Sequence, residues 1–164
     1  MTLPRHIAII ADGNRRWAKL KNLPEFSGHE HAVRVTMESL VDRCIDLKIP
    51  YLTFWVFSTE NWRRGKTWVD RYFKLLRSFF NENVDKYQKK GAKLNLIGDL
   101  TKLPPDIKKS LIRPGGHSRF SGFMLYQAAY AQLYFTATLF PDFDAGQLDK
   151  VLDWYAKQQQ NLGK

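Results

Sequence analysis

Arg5-His-Ile-Ala-Ile-Ile-Ala-Asp-Gly-Asn-Arg-Arg-Trp17 is the stretch from which the rest of the chain can be read. Ile7 to Ile10 is an apolar run with the length and composition of a buried strand. It breaks at Asp12-Gly13-Asn14, three residues that favour turns and tolerate unusual backbone angles. Arg15, Arg16 and Trp17 then open a helix. Strand, tight turn and helix start together make an anion site: helix N–H groups point outward, the dipole favours negative charge, and two guanidinium groups stand beside it. A carboxylate at Asp12 is an odd companion for an anion unless a cation bridges the two. The stretch therefore points to a diphosphate held through Mg²⁺.

Working outward, the first helix stops near Asn22-Leu-Pro24, and Ser27-Gly28-His29 is a second turn-like junction. A long helix is expected from His29, because Val33, Met37, Leu40, Val41 and Cys44 share one apolar face. It ends before Ile49-Pro50. Tyr51 to Phe57 is dense in β-branched and aromatic residues and reads as a buried strand, followed by the polar loop Ser58-Thr-Glu-Asn-Trp-Arg-Arg64. Trp68, Tyr72, Phe73, Leu76, Phe79, Phe80 and Val84 mark a helix ended by Gly91, and Leu94 to Ile97 reads as a third strand. The order β-α-β-α-β predicts an α/β fold with a mostly parallel central sheet flanked by helices. Ligand sites in such sheets lie beyond the strand C-termini, where both polar loops fall.

Further on, Arg113-Pro-Gly-Gly-His-Ser-Arg-Phe-Ser121 is a Gly-rich basic loop. Gly115 and Gly116 let backbone N–H groups approach a ligand, and Arg113, Arg119 and Ser121 supply phosphate donors. Pro141-Asp-Phe-Asp144 caps a last helix whose apolar face is Leu148, Val151, Leu152 and Tyr155.

With 164 residues, 44% of them hydrophobic, the chain is expected to form one domain spanning residues 1–164. No run is long enough to span a bilayer, and the N-terminus lacks a signal-peptide core, so the expected location is cytoplasmic. The lone Cys44 reads as an inert packed thiol. A net charge of +10 requires an anionic partner. No zinc-ligand spacing, RNA-binding sheet signature or basic heptad supports nucleic acid as that partner.

Three segments resemble one family. His6 to Lys19, Phe57-Ser-Thr-Glu-Asn-Trp-Arg-Arg64 and Arg113 to Ser121, with Tyr130 to Thr136 and Pro141-Asp-Phe143 behind them, are similar to the cis-prenyltransferases. The resemblance implies an α/β fold with a hydrophobic tunnel, and a Mg²⁺-dependent condensation of an allylic diphosphate with isopentenyl diphosphate. It assigns Asp12 to the metal on the allylic diphosphate, and Gly13, Asn14, Arg16 and His29 to that diphosphate, with Arg15 and Trp17 beside them as substrate-binding candidates. Asn61 falls at the proposed proton acceptor, with Phe57, Ser58, Thr59, Trp62 and Arg64 around it. Arg113, Arg119 and Ser121 fall on the grip for the second diphosphate, and Gly115, Gly116 and His117 are substrate-binding candidates of the same loop, although Pro114 and His117 replace the family's usual small polar residue and glutamate. A homodimer, and peripheral membrane contact through an apolar product, are implied as well.

Four departures qualify that resemblance. Family members carry several dozen more residues between the Gly98-Asp99 strand end and the Arg113 loop, so the chain reads as shortened between about 99 and 113. Gln132 stands where the family has a metal-binding glutamate, and an amide offers a hard cation no anionic oxygen. Arg113-Pro-Gly-Gly-His117 resembles the loop of relatives that condense dimethylallyl diphosphate head-to-middle. Glu25 replaces an arginine that commonly contacts diphosphate, and C-terminal arginines are absent. A catalytically weak, prenyl-diphosphate-binding partner subunit is the rival reading.

Overall fold

The computed structural model describes residues 2–95 and 132–158. The chain divides into two compact units, Met1–Lys66 with Gln132–Lys164, and Thr67–Ala131. In the first unit, strand β1 (His6–Ile10) leads through Ala11–Gly13 into helix α1 (Asn14–Leu20). Helix α2 (Ser27–His31), a π-helical turn (Ala32–Thr36) and helix α3 (Met37–Asp46) follow without a break. Strand β2 (Tyr51–Trp55) leads to a 3₁₀ turn at Thr59–Arg64. The returning chain makes a second 3₁₀ turn, Phe140–Asp142, and helix α5 (Ala145–Ala156). Helix α4 (Lys66–Lys89) lies in the second unit from Thr67 onward.

β1 and β2 pair in parallel, with His6 opposite Tyr51 and Ile10 opposite Trp55. That pairing bears out the parallel α/β reading. Side chains alternate across a strand, so Ile7, Ile9, Leu52 and Phe54 share one face, and Phe54 meets Phe140 edge to face at 6.2 Å. The opposite face is not buried as expected: Ile10 is 65% and Tyr51 61% exposed. The strand also ends at Trp55, so Val56 and Phe57 already belong to the loop. Leu94 and Asn95, expected to start a third strand, are irregular. The rest of that segment lies outside the described residues, as does the whole Arg113–Ser121 loop.

The helix stops are chemically explicit. Asn22 (φ 53°) ends α1, with its N–H donating to Lys19 O and the Leu23 N–H to Ala18 O. Lys48 (φ 56°) and Gly91 (φ 79°) end α3 and α4 with the same pair of bonds. This left-handed closure satisfies carbonyls that a helix end would otherwise leave open. At the start of α5, Asp144 Oδ1 accepts the Gln147 N–H at 2.9 Å, the cap the sequence predicted.

The core of the first unit joins Trp17, Ala18, Val33, Met37, Leu40 and Cys44 with Phe140, Leu148 and Leu152 from the returning chain. Each large apolar side chain so buried contributes about 1.5–3 kcal/mol. Val41, expected on that face, is only half-buried, whereas Ala32 and Thr36 are buried. Thr36, at the end of the π turn and three residues after Val33, faces inward as well, and its hydroxyl donates to Pro141 O at 2.8 Å. Arg43 then ties α3 to α5 through a two-pronged pair with Asp149, 2.8 and 3.1 Å. Burial pushes the Cys44 thiol up to about 11, which fits an inert thiol. In α4, Val69, Tyr72, Phe73, Leu75, Leu76 and Phe79 are buried, and Trp68 stacks on Tyr72 at 5.2 Å.

Candidate active site

Because Ile10 and Trp55 are paired at the ends of parallel strands, the chains beyond them leave the sheet from one edge, side by side. The first loop turns at Gly13, whose φ of 93° suits glycine alone. A Cβ there would also stand 2.7 Å from Leu139 Cδ2. Asp12 accepts the Gly13 N–H on Oδ1 and Arg16 Nη2 at 3.3 Å on Oδ2, while its carboxylate remains 81% exposed. From the other side, the Phe140 N–H donates to Asp12 O at 3.0 Å. The loop is thus fixed through its main chain, and the carboxylate is left to face solvent.

The residues that follow divide into those that reach outward and those that hold the loop. Arg15 and Arg16 are exposed. Asn14 folds back, its Nδ2 donating to Ala11 O at 3.3 Å. Trp17, expected among the substrate-binding residues, is buried, and its indole N–H donates to Asp142 Oδ1 at 2.7 Å. Its ring stacks on His31 at 4.8 Å. Its place is therefore to anchor α1 to the Phe140–Asp142 turn.

Gly28, legible in the sequence only as part of a turn-like junction, helps to position this loop. A Cβ on it would come to 1.9 Å from Asn14 O. α2 therefore lies with its backbone directly against the start of α1, a closeness that only glycine permits. A glycine in the first turn of a helix, where it costs stability, was the available signal. His29, one residue on, is buried and stacks on Phe26 at 5.6 Å. Burial, and then the positive charge of Arg64, lower its pKa to about 4, while Glu25 opposes them and accepts a hydrogen bond from the ring on its main chain. Arg15 lowers it further. His29 is accordingly neutral at physiological pH, and the influence of Arg64 marks the approach of the second loop to the first.

That neutrality sets a pH dependence. The unfolded chain protonates His29 near 6.5 and the folded chain only near 4, so the unfolded state binds more protons between those values. Stability is unaffected above pH 6.5, falls as pH drops through this window by up to about 3 kcal/mol, and levels off below it. Urea titrations of wild type and His29→Gln at pH 7.5, 6, 5 and 4 should show this part of the slope lost in the variant.

The second loop is self-capped. Ser58 N donates to Asn61 Oδ1 at 2.9 Å, and Asn61 N to Ser58 O at 3.1 Å. The Ser58 hydroxyl bonds the Glu60 carboxylate and lowers its pKa. Phe57 and Trp62 meet edge to face at 5.2 Å beneath this turn. Asn61 Oδ1 is thus committed to the cap, and its amide nitrogen is the atom left for a ligand. Thr59 and Arg64 are exposed.

As a metal site, the donor set is sparse. Among the described residues there is no group of three His, Cys, Asp or Glu that could hold an ion. Among the described residues Asp12 exposes a carboxylate at the sheet edge, and Gln132 is exposed. This fits Mg²⁺, which keeps several waters and binds through one or two carboxylates together with substrate phosphates. Among the described residues no helix is long and apolar enough to cross a membrane.

A family model described as putative undecaprenyl diphosphate synthase matches residues 10–111 and 110–163. The chain is 31% identical to the isoprenyl transferase of Rickettsia bellii over the whole of both. It is 30% identical to that of Aquifex aeolicus, covering all of this chain and 97% of the relative. The Rickettsia alignment runs over 226 positions against the 164 residues present here. Two solved structures share the fold, each at 23% identity. Lavandulyl diphosphate synthase from Lavandula x intermedia, in complex with dimethylallyl diphosphate, superposes with a TM-score of 0.86 over 99% of both chains. A probable undecaprenyl diphosphate synthase from Campylobacter jejuni superposes with 0.72 over 100% of both. The chain belongs to the undecaprenyl diphosphate synthase family, the cis-prenyltransferases, and is a prenyltransferase of that α/β fold.

Proposed function

We propose that this protein condenses an allylic prenyl diphosphate with a second, five-carbon diphosphate in the presence of Mg²⁺ and releases diphosphate. The observation that supports this most is the parallel pairing of Ile10 with Trp55, which brings Asp12–Arg16 and Ser58–Arg64 to one sheet edge in a chain of this family. The allylic diphosphate is assigned to Asp12, Gly13, Arg15, Arg16 and Arg64. Asn14, Trp17, Gly28 and His29 hold that loop in shape. The second diphosphate is assigned to Arg113, Arg119 and Ser121, with Gly115, Gly116 and His117.

In this reaction the allylic C–O bond breaks and its electron pair leaves on the diphosphate. The acceptor's double bond then forms the new C–C bond, and a proton departs from the acceptor. Arg16 and Arg64 meet the negative charge that grows on the leaving group, and fixed donors of this kind are worth several kcal/mol in a dry site. Bound Mg²⁺ would supply charge neutralisation on the same oxygens. With Asn61 Oδ1 engaged by Ser58, Asn61 positions the acceptor through its amide nitrogen. The proton is then taken by an oxygen of Asp12 or of the departing diphosphate.

The Arg113-Pro-Gly-Gly-His117 loop supports a head-to-middle condensation with dimethylallyl diphosphate as acceptor. Isopentenyl diphosphate, joined cis and head-to-tail, is the alternative. The purified protein should be incubated with Mg²⁺, allylic diphosphates of graded length and each labelled acceptor. A branched skeleton identified by mass and NMR selects the first, a linear cis chain the second. Gln132→Glu is expected to lower the Mg²⁺ concentration for half-maximal turnover by several-fold, since it adds an anionic oxygen donor.

A second reading, a weakly catalytic partner subunit that binds prenyl diphosphates, is favoured by Gln132 and by the pairing of Arg15 with Glu25. It predicts diphosphate binding without product. A homodimer in the cytoplasm, with membrane contact through the product, belongs to the same proposal. The exposed Leu133, Tyr134 and Phe135 provide apolar surface for it. So does a deletion between about 99 and 113, which the division of the family match at residues 110–111 supports.

A further inference from the structure

The two arginines at the start of α1 are not in the same state. Arg16 touches Asp12 through one 3.3 Å contact. Arg15 is held by Glu25 along a whole edge of its guanidinium, Nε to Oε1 at 2.7 Å and Nη2 to Oε2 at 2.9 Å. This two-pronged geometry is the one by which a guanidinium grips a phosphate. Glu25 is also not loosely placed: the His29 ring bonds its main chain, and that ring is buried against Phe26.

We propose that Glu25 is a built-in competitor for the allylic diphosphate, occupying the Arg15 fork until the substrate displaces it, and so sets the affinity of this site. The inference rests on the reading that the Asp12–Arg16 loop binds diphosphate. Both partners are more than half exposed, and exposed pairs of this kind are weak, so the exchange is easy and sensitive to salt. Arg16 gives the incoming diphosphate its first contact, and Arg15 joins once the Glu25 carboxylate swings out to water. A carboxylate that gives way to a diphosphate, but not to a weaker monoanion, discriminates between ligands by charge.

Binding of inorganic pyrophosphate with Mg²⁺, followed by calorimetry at low and high salt, tests this. Glu25→Gln should bind about 3- to 10-fold more tightly than wild type at low salt, and the gain should shrink at high salt. Arg15→Ala alone should weaken binding less than 3-fold, because Arg15 is already engaged. The double variant should bind like Arg15→Ala, since the gain needs the released fork. Equal or weaker binding by Glu25→Gln overturns the inference, and so does a gain that persists without Arg15, which would mark a general charge effect. Glu25→Ser, which should show the same gain, guards against a defect peculiar to glutamine. Pyrophosphate binding to neither wild type nor Glu25→Gln would instead sink the diphosphate reading of the loop itself.

Discussion

Asp12→Asn is expected to lower kcat/KM by about 10³-fold while leaving the thermal midpoint nearly unchanged. An amide keeps the oxygen that accepts the Gly13 N–H, so the turn survives. What disappears is the one anionic oxygen set that this loop exposes, at 81% exposure, to a metal-bound diphosphate. Loss of a single fixed charge-stabilising group in a catalytic site costs on the order of 10²–10³, and loss of a metal ligand adds to it. Steady-state kinetics with varied Mg²⁺, alongside a melting curve, check both halves. Near-normal turnover would contradict the role given to Asp12.

Gly28→Ala should act in the opposite way, through the fold. The added Cβ would meet Asn14 O at 1.9 Å, a main-chain atom that no rotamer change can move aside. α2 and the first turn of α1 would have to separate, and overpacking of this kind costs about 1–3 kcal/mol or more. At about 2–4 °C per kcal/mol, the midpoint should fall by roughly 5–10 °C. The diphosphate site should weaken with it, because Asn14 belongs to the Asp12 loop and His29 adjoins Gly28. A melting curve with pyrophosphate binding on the folded fraction measures both. An unaltered midpoint would show that the two backbones are not in contact.

These two residues also mark where sequence was informative and where it was silent. Asp12 was legible because its chemistry is local: an apolar run, a turn and a basic helix start lie within thirteen consecutive residues. The parallel sheet followed from alternating elements, and the Asp144 cap from its position before an apolar stripe. The Trp17–Asp142 and Thr36–Pro141 bonds span 125 and 105 residues. Nothing near Trp17 says that its indole is spoken for, and an exposed aromatic at a motif reads the same as a buried one. The π turn at Ala32–Thr36 was hidden as well, since Val33, Met37, Leu40 and Cys44 keep a helical spacing across it. Its trace in the sequence is the polar Thr36 on a buried face. β1 and β2 read as buried on both faces because composition cannot say which alternate residues are covered.

The central claim is that the loops beyond Ile10 and Trp55 form one diphosphate site. Amide chemical shifts followed during titration with an allylic diphosphate and Mg²⁺ test it most directly. The largest changes should fall together on Asp12–Trp17, Gly28–His29 and Ser58–Arg64, saturate at one ligand concentration, and be absent in Asp12→Asn. Shifts confined to one loop, or centred elsewhere on the chain, would contradict the claim.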